Sequence, residues 1–288
     1  MQAPMLPDIS IRQLEYLVAV AESSTWARAA DRMGVSASAL SQGLAELERR
    51  VGVSLFEPAG RRRVLRPAAT PVLDHARRVV GLTRDLLEWS DRMQTARAGR
   101  VRVGMIDVAA VVHFPNVLRT FRAERPAVEL LLSVSPSARL LDALRDGDLD
   151  LVVCVEPPEP RPGVELAELR SEPLAVVAPA GTTIGAPSSW GPWLLFPSGS
   201  HTRHRITERL GELGAPVRIA AESHQPDVLL QMVVLGLGWT VLPVDASFER
   251  VDVVIGPELV RRQLVLATRA GSVHDPAVDE LAERLRVA

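Results

Sequence analysis

Ser38, Ser41 and Gln42 lie within a few residues of one another in a helical pattern, and three adjacent arginines, Arg61, Arg62 and Arg63, follow downstream. Hydroxyl and carboxamide groups at that spacing suit base edges. Gln42 can donate and accept at once, which fits adenine, and the serines can reach bases or phosphates. Clustered guanidinium groups suit phosphates, which they grip regardless of sequence. Arg28 and Ser36 complete this nucleic-acid-facing set. A second constellation lies farther along: Asp107, Ser135, Ser137, Ser198, Ser200, Thr202, Ser223, His224 and Gln225. These residues fall where strands end and helices begin, the place where α/β proteins hold small ligands. The serines suit an anion such as a carboxylate, or simply cap helices. Asp107 would repel a carboxylate or attract an amino group.

The first set needs a rigid scaffold, and the sequence provides one. Ser10 caps a helix from about Ile11 to Glu22 with Leu14, Leu17, Val18 and Ala21 at helical spacing. Thr25 caps a second helix, Trp26 to Met33, and Gly34 breaks it in a backbone region open to glycine. Ser36 caps a third helix whose Leu40, Leu44, Leu47 and Val51 form the inward stripe. Its other face offers Ala37, Ser38, Ser41, Gln42 and Ala45. Glu57-Pro58-Ala59-Gly60 then makes a turn, with the arginine run at the tip of a hairpin. Helix, turn, helix and basic wing form a winged helix-turn-helix, whose third helix enters the major groove. From Pro67 a helical pattern runs to about Ala98, with Leu73, Ala76, Val80, Leu82 and Leu87 on a narrow apolar side. A long helix with so narrow a stripe needs a partner, and a second copy is the simplest one.

The charge divides along the same line. Residues 1–100 carry 15 arginines against 11 carboxylates, while residues 101–288 carry 18 against 24, within a net charge of −2. A basic front and acidic back fit a nucleic-acid module joined to one that need not touch nucleic acid. All 33 cationic side chains are arginine, and 47% of residues are hydrophobic. One cysteine, Cys154, excludes an intrachain disulfide and suits a reducing compartment. The opening MQAPMLPDIS lacks the basic and apolar regions of a signal peptide, and no apolar run is long enough for a membrane span. A cytoplasmic location is expected.

The residues of the front resemble the LysR-type bacterial transcriptional regulators. Leu14 to Glu22 matches the first helix of that family. Thr25-Trp26-Ala27-Arg28-Ala29-Ala30 matches the second, Val35 to Ser41 the third, and Leu47 to Phe56 the approach to the wing. The chain departs at Ala37-Ser38, where the family commonly has Gln-Pro. It departs again at Gly43, Ala27, Pro58 and Arg66, where glutamine, a hydroxyl residue, arginine and threonine are common. Gly43 inside the third helix should cost about 1 kcal/mol of propensity relative to alanine. These departures shift the expected affinity toward Gln42 and the wing.

From Val101 strands and helices alternate, which predicts parallel α/β lobes. Strands are expected at Val101–Ile106, Val128–Val134, Leu149–Val155, Leu174–Ala178, Trp193–Phe196, Val217–Ala221, Trp239–Leu242 and Gln263–Thr268. Helices are expected at Ala110–Glu124, Ser137–Arg145, Arg203–Leu213, Asp227–Leu235 and Pro276–Val287. The resemblance implies a two-lobed domain, similar to periplasmic binding proteins, with a small effector in its cleft. The expected organisation is a winged helix-turn-helix over 1–66, a linker and dimerisation helix over 67–99, and an effector domain over 100–288. Lobe one takes about 100–172 and 266–288, and lobe two about 173–265.

The sequence offers no catalytic set, glycine-rich phosphate loop or nucleophile elbow, so no enzyme and no cofactor is expected. His201 and His204 share a helix face with no cysteine or acidic partner at metal-ligand spacing. Cys154, inside Leu-Val-Val-Cys-Val, reads as an apolar filler. The expected protein is a sequence-specific DNA-binding regulator controlled by an effector, with double-stranded promoter DNA and its own copies as partners, as homodimer and homotetramer. The alternative is an effector-binding assembly protein with weakened DNA binding.

Overall fold

The computed structural model describes residues 8–59, 62–95, 99–244, 251–273 and 275–288. They fall into two compact units, one built on residues up to 96 with residues 145–147 and 271–273, and one on the rest of the chain from residue 97 onward.

The front unit begins with α1 (Ile11–Glu22), α2 (Trp26–Arg32) and α3 (Ala37–Val51). Each starts where a side chain satisfies an otherwise orphaned backbone donor. Ser10 Oγ accepts the Gln13 N–H at 3.2 Å, and the Gln13 side chain accepts the Ser10 N–H in return. Thr25 and Ser36 accept from Arg28 and Ala39. Gly34 takes φ +64° in the turn between α2 and α3. The buried core joins Leu14 and Leu17 of α1, Ala29 and Ala30 of α2, and Leu40, Leu44 and Leu47 of α3. Strands β1 (Phe56–Ala59) and β2 (Arg62–Leu65) pair antiparallel as the wing. The long helix starts later than its sequence pattern, and residues 96–98 of that pattern lie outside the described residues. Pro67–Ala69 forms a 3-10 turn, and α4 runs Thr70–Thr95. Leu73 and Ala76 are buried against the front core, but Leu86, Leu87 and Trp89 are exposed.

Gly43 has a packing reason. A Cβ there would lie 2.7 Å from the Tyr16 ring of α1, so only glycine lets α3 approach that ring. The helix-propensity cost expected at this position is offset by that close crossing.

The second unit has two cores. The first is built on β3 (Arg100–Met105), β4 (Glu129–Val134) and β5 (Leu151–Val155), with α5 (Pro115–Glu124), α6 (Ser137–Arg145) and α9 (Pro276–Arg286). The second gathers β7 (Trp193–Leu195), α7 (His201–Glu212), β8 (Ile219–Glu222), α8 (Pro226–Val234) and β9 (Thr240–Pro243). Two long strands run through both lobes: β6 (Val164–Pro179) and β10 (Val253–Arg269).

The main sheet has the order β4-β3-β5-β10-β6-β9. β3 pairs parallel with β4 and β5, but β10 is antiparallel to both β5 and β6. The parallel pairing expected from alternation holds for β3, β4 and β5 and for the separate pair β7-β8, while the six-stranded sheet as a whole is mixed. The strands expected at Leu174–Ala178 and Gln263–Thr268 are only segments of β6 and β10. The rest of β6 is rich in glutamate and holds Pro173, features that argue against a strand when read locally. Antiparallel pairing with β10 overrides them. The helix expected at Ala110–Glu124 also splits: a π-type turn covers Ala109–His113, and Pro115 begins α5 afresh. Proline has no N–H to continue a preceding helix but suits a first turn.

Candidate DNA-reading face and candidate effector cavity

In the front unit Arg28, Ser36, Ser38 and Gln42 are exposed and Ser41 is half-buried. Ser36 is committed through its cap to Ala39. Ser38 and Gln42 are one helical turn apart on α3, the spacing that brings side chains to one face. Arg61 and the Arg62 side chain lie outside the described residues. Arg63 stands over two rings, with its guanidinium carbon 5.5 Å from the Trp26 ring centre and 5.9 Å from that of Phe56. Those rings meet edge to face at 4.9 Å. Sequence reading assigned Arg63 to phosphate alone; the structure also makes it the clasp between wing and α2. Arg66, where the family commonly has threonine, makes no side-chain cap and instead reaches Glu57 at 3.3 Å.

In the second unit one cavity of about 230 Å³ gathers Asp107, Ser135, Ser137, Ser200, Thr202, His224 and Gln225. Ser135 follows β4 and Ser137 opens α6. Ser200 caps α7, Thr202 sits in its first turn, and Gln225 stands just before α8 without a side-chain cap. Two expected residues lie elsewhere. Ser198 sits by a second hollow with His201, Arg203 and His204. Ser223 Oγ accepts the Gln225 N–H at 3.1 Å and braces a turn. Some hydroxyls are already occupied: Ser200 caps α7 by accepting the Arg203 N–H, and Ser137 accepts the buried Val155 N–H of β5. His201 is turned inward, with Nδ1 3.0 Å from the Val155 carbonyl, and burial lowers its pKa.

Arg262 also lines this cavity, and sequence reading missed it. It is 4% exposed. Its Nε donates to Glu172 Oε2 at 2.6 Å and its Nη1 to Thr202 Oγ1 at 3.2 Å. Nη2 is buried without a hydrogen-bond partner among the described residues. Glu172 Oε1 lies 2.9 Å from His113 Nε2, and Arg170 donates to His113 Nδ1 at 3.1 Å. The ring proton therefore sits on Nε2 and is donated to Glu172. Arg262 lies two residues before the buried Leu264, on the same face of β10.

Asp107 borders the cavity at the end of β3. Its Oδ1 accepts the Val108 N–H at 2.8 Å. Desolvation raises its pKa above the ordinary aspartate value, against the pull of Arg262 and with added repulsion from Asp227. Cys154 is buried in β5, and desolvation pushes its thiol up to about 12.

These features together define a DNA-binding head joined to a two-lobed ligand domain. Residues 11–70 match the bacterial regulatory helix-turn-helix protein, LysR family, and residues 94–288 match the LysR substrate binding domain. The chain belongs to the LysR family of transcriptional regulators. A probable hydrogen peroxide-inducible genes activator of Streptomyces viridosporus is 30% identical, over 97% of this chain and 94% of that protein. The regulator CbbR of Rhodospirillum rubrum is 28% identical, over 81% and 78%. A point variant of full-length OxyR from Pseudomonas aeruginosa is similar in structure, with TM-score 0.63, 26% identity, and 97% and 98% of the two chains covered. Full-length CbnR complexed with target DNA shares the fold, with TM-score 0.57, 23% identity, and 96% and 99% covered. These relatives are regulators rather than enzymes, and among the described residues no helix is long and apolar enough to cross a membrane.

Proposed function

We propose that this chain binds promoter DNA through residues 1–66 and senses a small effector through residues 100–288. Residues 67–99 join two copies. Lobe one takes about 100–172 and 266–288, and lobe two about 173–265. Base reading is assigned to Ser38, Ser41 and Gln42, with Arg28, Ser36 and the wing arginines holding phosphate. The effector contacts Asp107, Ser135, Ser137, Ser200, Thr202, His224 and Gln225, together with Arg262. Ser198 and Ser223 support these loops.

The observation that carries this reading is the convergence of residues from 107 to 262 on one cavity. Exposed Leu86, Leu87 and Trp89 on α4 support self-association into dimers and tetramers. A regulator of this kind works in the cytoplasm. Thiol oxidation is a poor signal here, because the chain's one cysteine is buried with a pKa far above neutral and so holds almost no thiolate.

A gel shift with DNA from upstream of the protein's own gene tests the reading. The expected result is a salt-sensitive shift that weakens in Gln42→Ala and is lost when Arg61, Arg62 and Arg63 are all alanine. Absence of a shift at every salt concentration would sink it.

A further inference from the structure

The cavity that serves as the effector site in the reading above carries fixed charge of both signs. At one place Arg262 brings a buried guanidinium whose Nη2 has no hydrogen-bond partner among the described residues. Glu172 balances the charge of that arginine, but its unmet N–H groups still need an acceptor. A buried donor left unmet is costly, so an acceptor that fills the gap binds well. Three helix starts border the same cavity at Ser137, Ser200 and Gln225. Each contributes partial positive charge, which at the α8 start is opposed by Asp227 in its first turn.

Asp107, which feels the pull of Arg262, brings a carboxylate that no cationic side chain hydrogen-bonds among the described residues. The carboxylate of Asp227 adds to the negative potential there. A plain carboxylic acid would satisfy Arg262 but meet repulsion from Asp107. A plain amine would satisfy Asp107 but leave Arg262 unmet and face the helix starts. The same cavity is also lined by apolar Ile106, Val134, Val155 and Phe196.

We propose that the effector is a small zwitterion with an aliphatic body, an α-amino acid in chemical class. Its carboxylate is held by Arg262 and the helix starts, and its ammonium by Asp107. This rests on the cavity being the effector site.

Calorimetric titration of the full chain with matched probes tests the class. L-valine and L-leucine are the zwitterions, 3-methylbutanoate and 4-methylpentanoate their deaminated acids, and 2-methylpropylamine and 3-methylbutylamine their decarboxylated amines. The expected result is binding of an amino acid, with its acid and amine weaker by about tenfold or more. Asp107→Asn, checked by its melting curve to be folded, should abolish the preference over the acid. Tighter binding of an acid or an amine by the natural chain overturns the zwitterion while leaving the cavity as effector site. An unchanged preference in Asp107→Asn overturns the role of Asp107. Binding of none of the six by a chain that still shifts DNA overturns the class and leaves the regulator reading standing.

Discussion

The front unit and the cavity of the second unit use arginine in opposite ways. Arg63 lies on the surface over two rings, where water screens its charge. Arg262 is locked between Glu172 and Thr202, away from water. A surface cation is worth little to folding but is free to meet phosphate. A buried one is tied to its partners, and removing it strands the charge left behind. The two regions thus divide the work: one trades in exposed, salt-sensitive charge and the other in charge fixed in place.

The contrast is tested most severely at Arg262. Arg262→Ala should destabilise the protein by about 3–5 kcal/mol, seen as a large drop in melting temperature. Arg262→Met combined with Glu172→Leu should recover much of that loss, because no lone charge stays buried. If the single and double variants melt alike, the ion pair is not what holds this region. Next in size is Gly43→Ala. Alanine favours helices, yet the Tyr16 ring leaves no room for its Cβ. We expect about 1–3 kcal/mol of destabilisation by denaturant titration. A stabilised variant would show that Tyr16 moves aside freely.

Arg63→Ala should cost about 0.5–1 kcal/mol of stability from the lost ring contacts and also weaken DNA binding. Weakened DNA binding with an unchanged melt would return Arg63 to a phosphate role alone. The smallest effect is expected at Asp107. Its carboxyl pKa is raised in the fold by desolvation, so ionising it there opposes folding. That opposition is absent in acid, begins as pH rises through the unfolded aspartate value, and is complete above the raised one. Asp107→Asn should therefore stabilise the chain slightly at neutral pH and not in acid. Melting curves across that range check the sign, and a variant less stable at neutral pH contradicts it.

The same division explains what could be read from the sequence. The front is local: Ser10, Thr25 and Ser36 cap helices that begin where their spacing predicts, because each cap and stripe spans only a few residues. α6 likewise starts at Ser137 and ends at Arg145, as its pattern implies. The cavity is not local. Serines opening helices could be named, since helix starts are visible in sequence, and seven of the nine residues named reach one space. Arg262 and Glu172 could not, because they meet only when β6 and β10 pair over long spans that look too polar to be strands. Gly43 looked like a weak point because its partner, Tyr16, lies on another helix.

The clasp of Arg63 on Trp26 and Phe56 has one more consequence. A hairpin that must find its stance only on meeting a partner loses conformational entropy at that moment, and the affinity falls accordingly. Here β2 is already fastened to α2 before any DNA arrives, so that ordering cost has been met during folding.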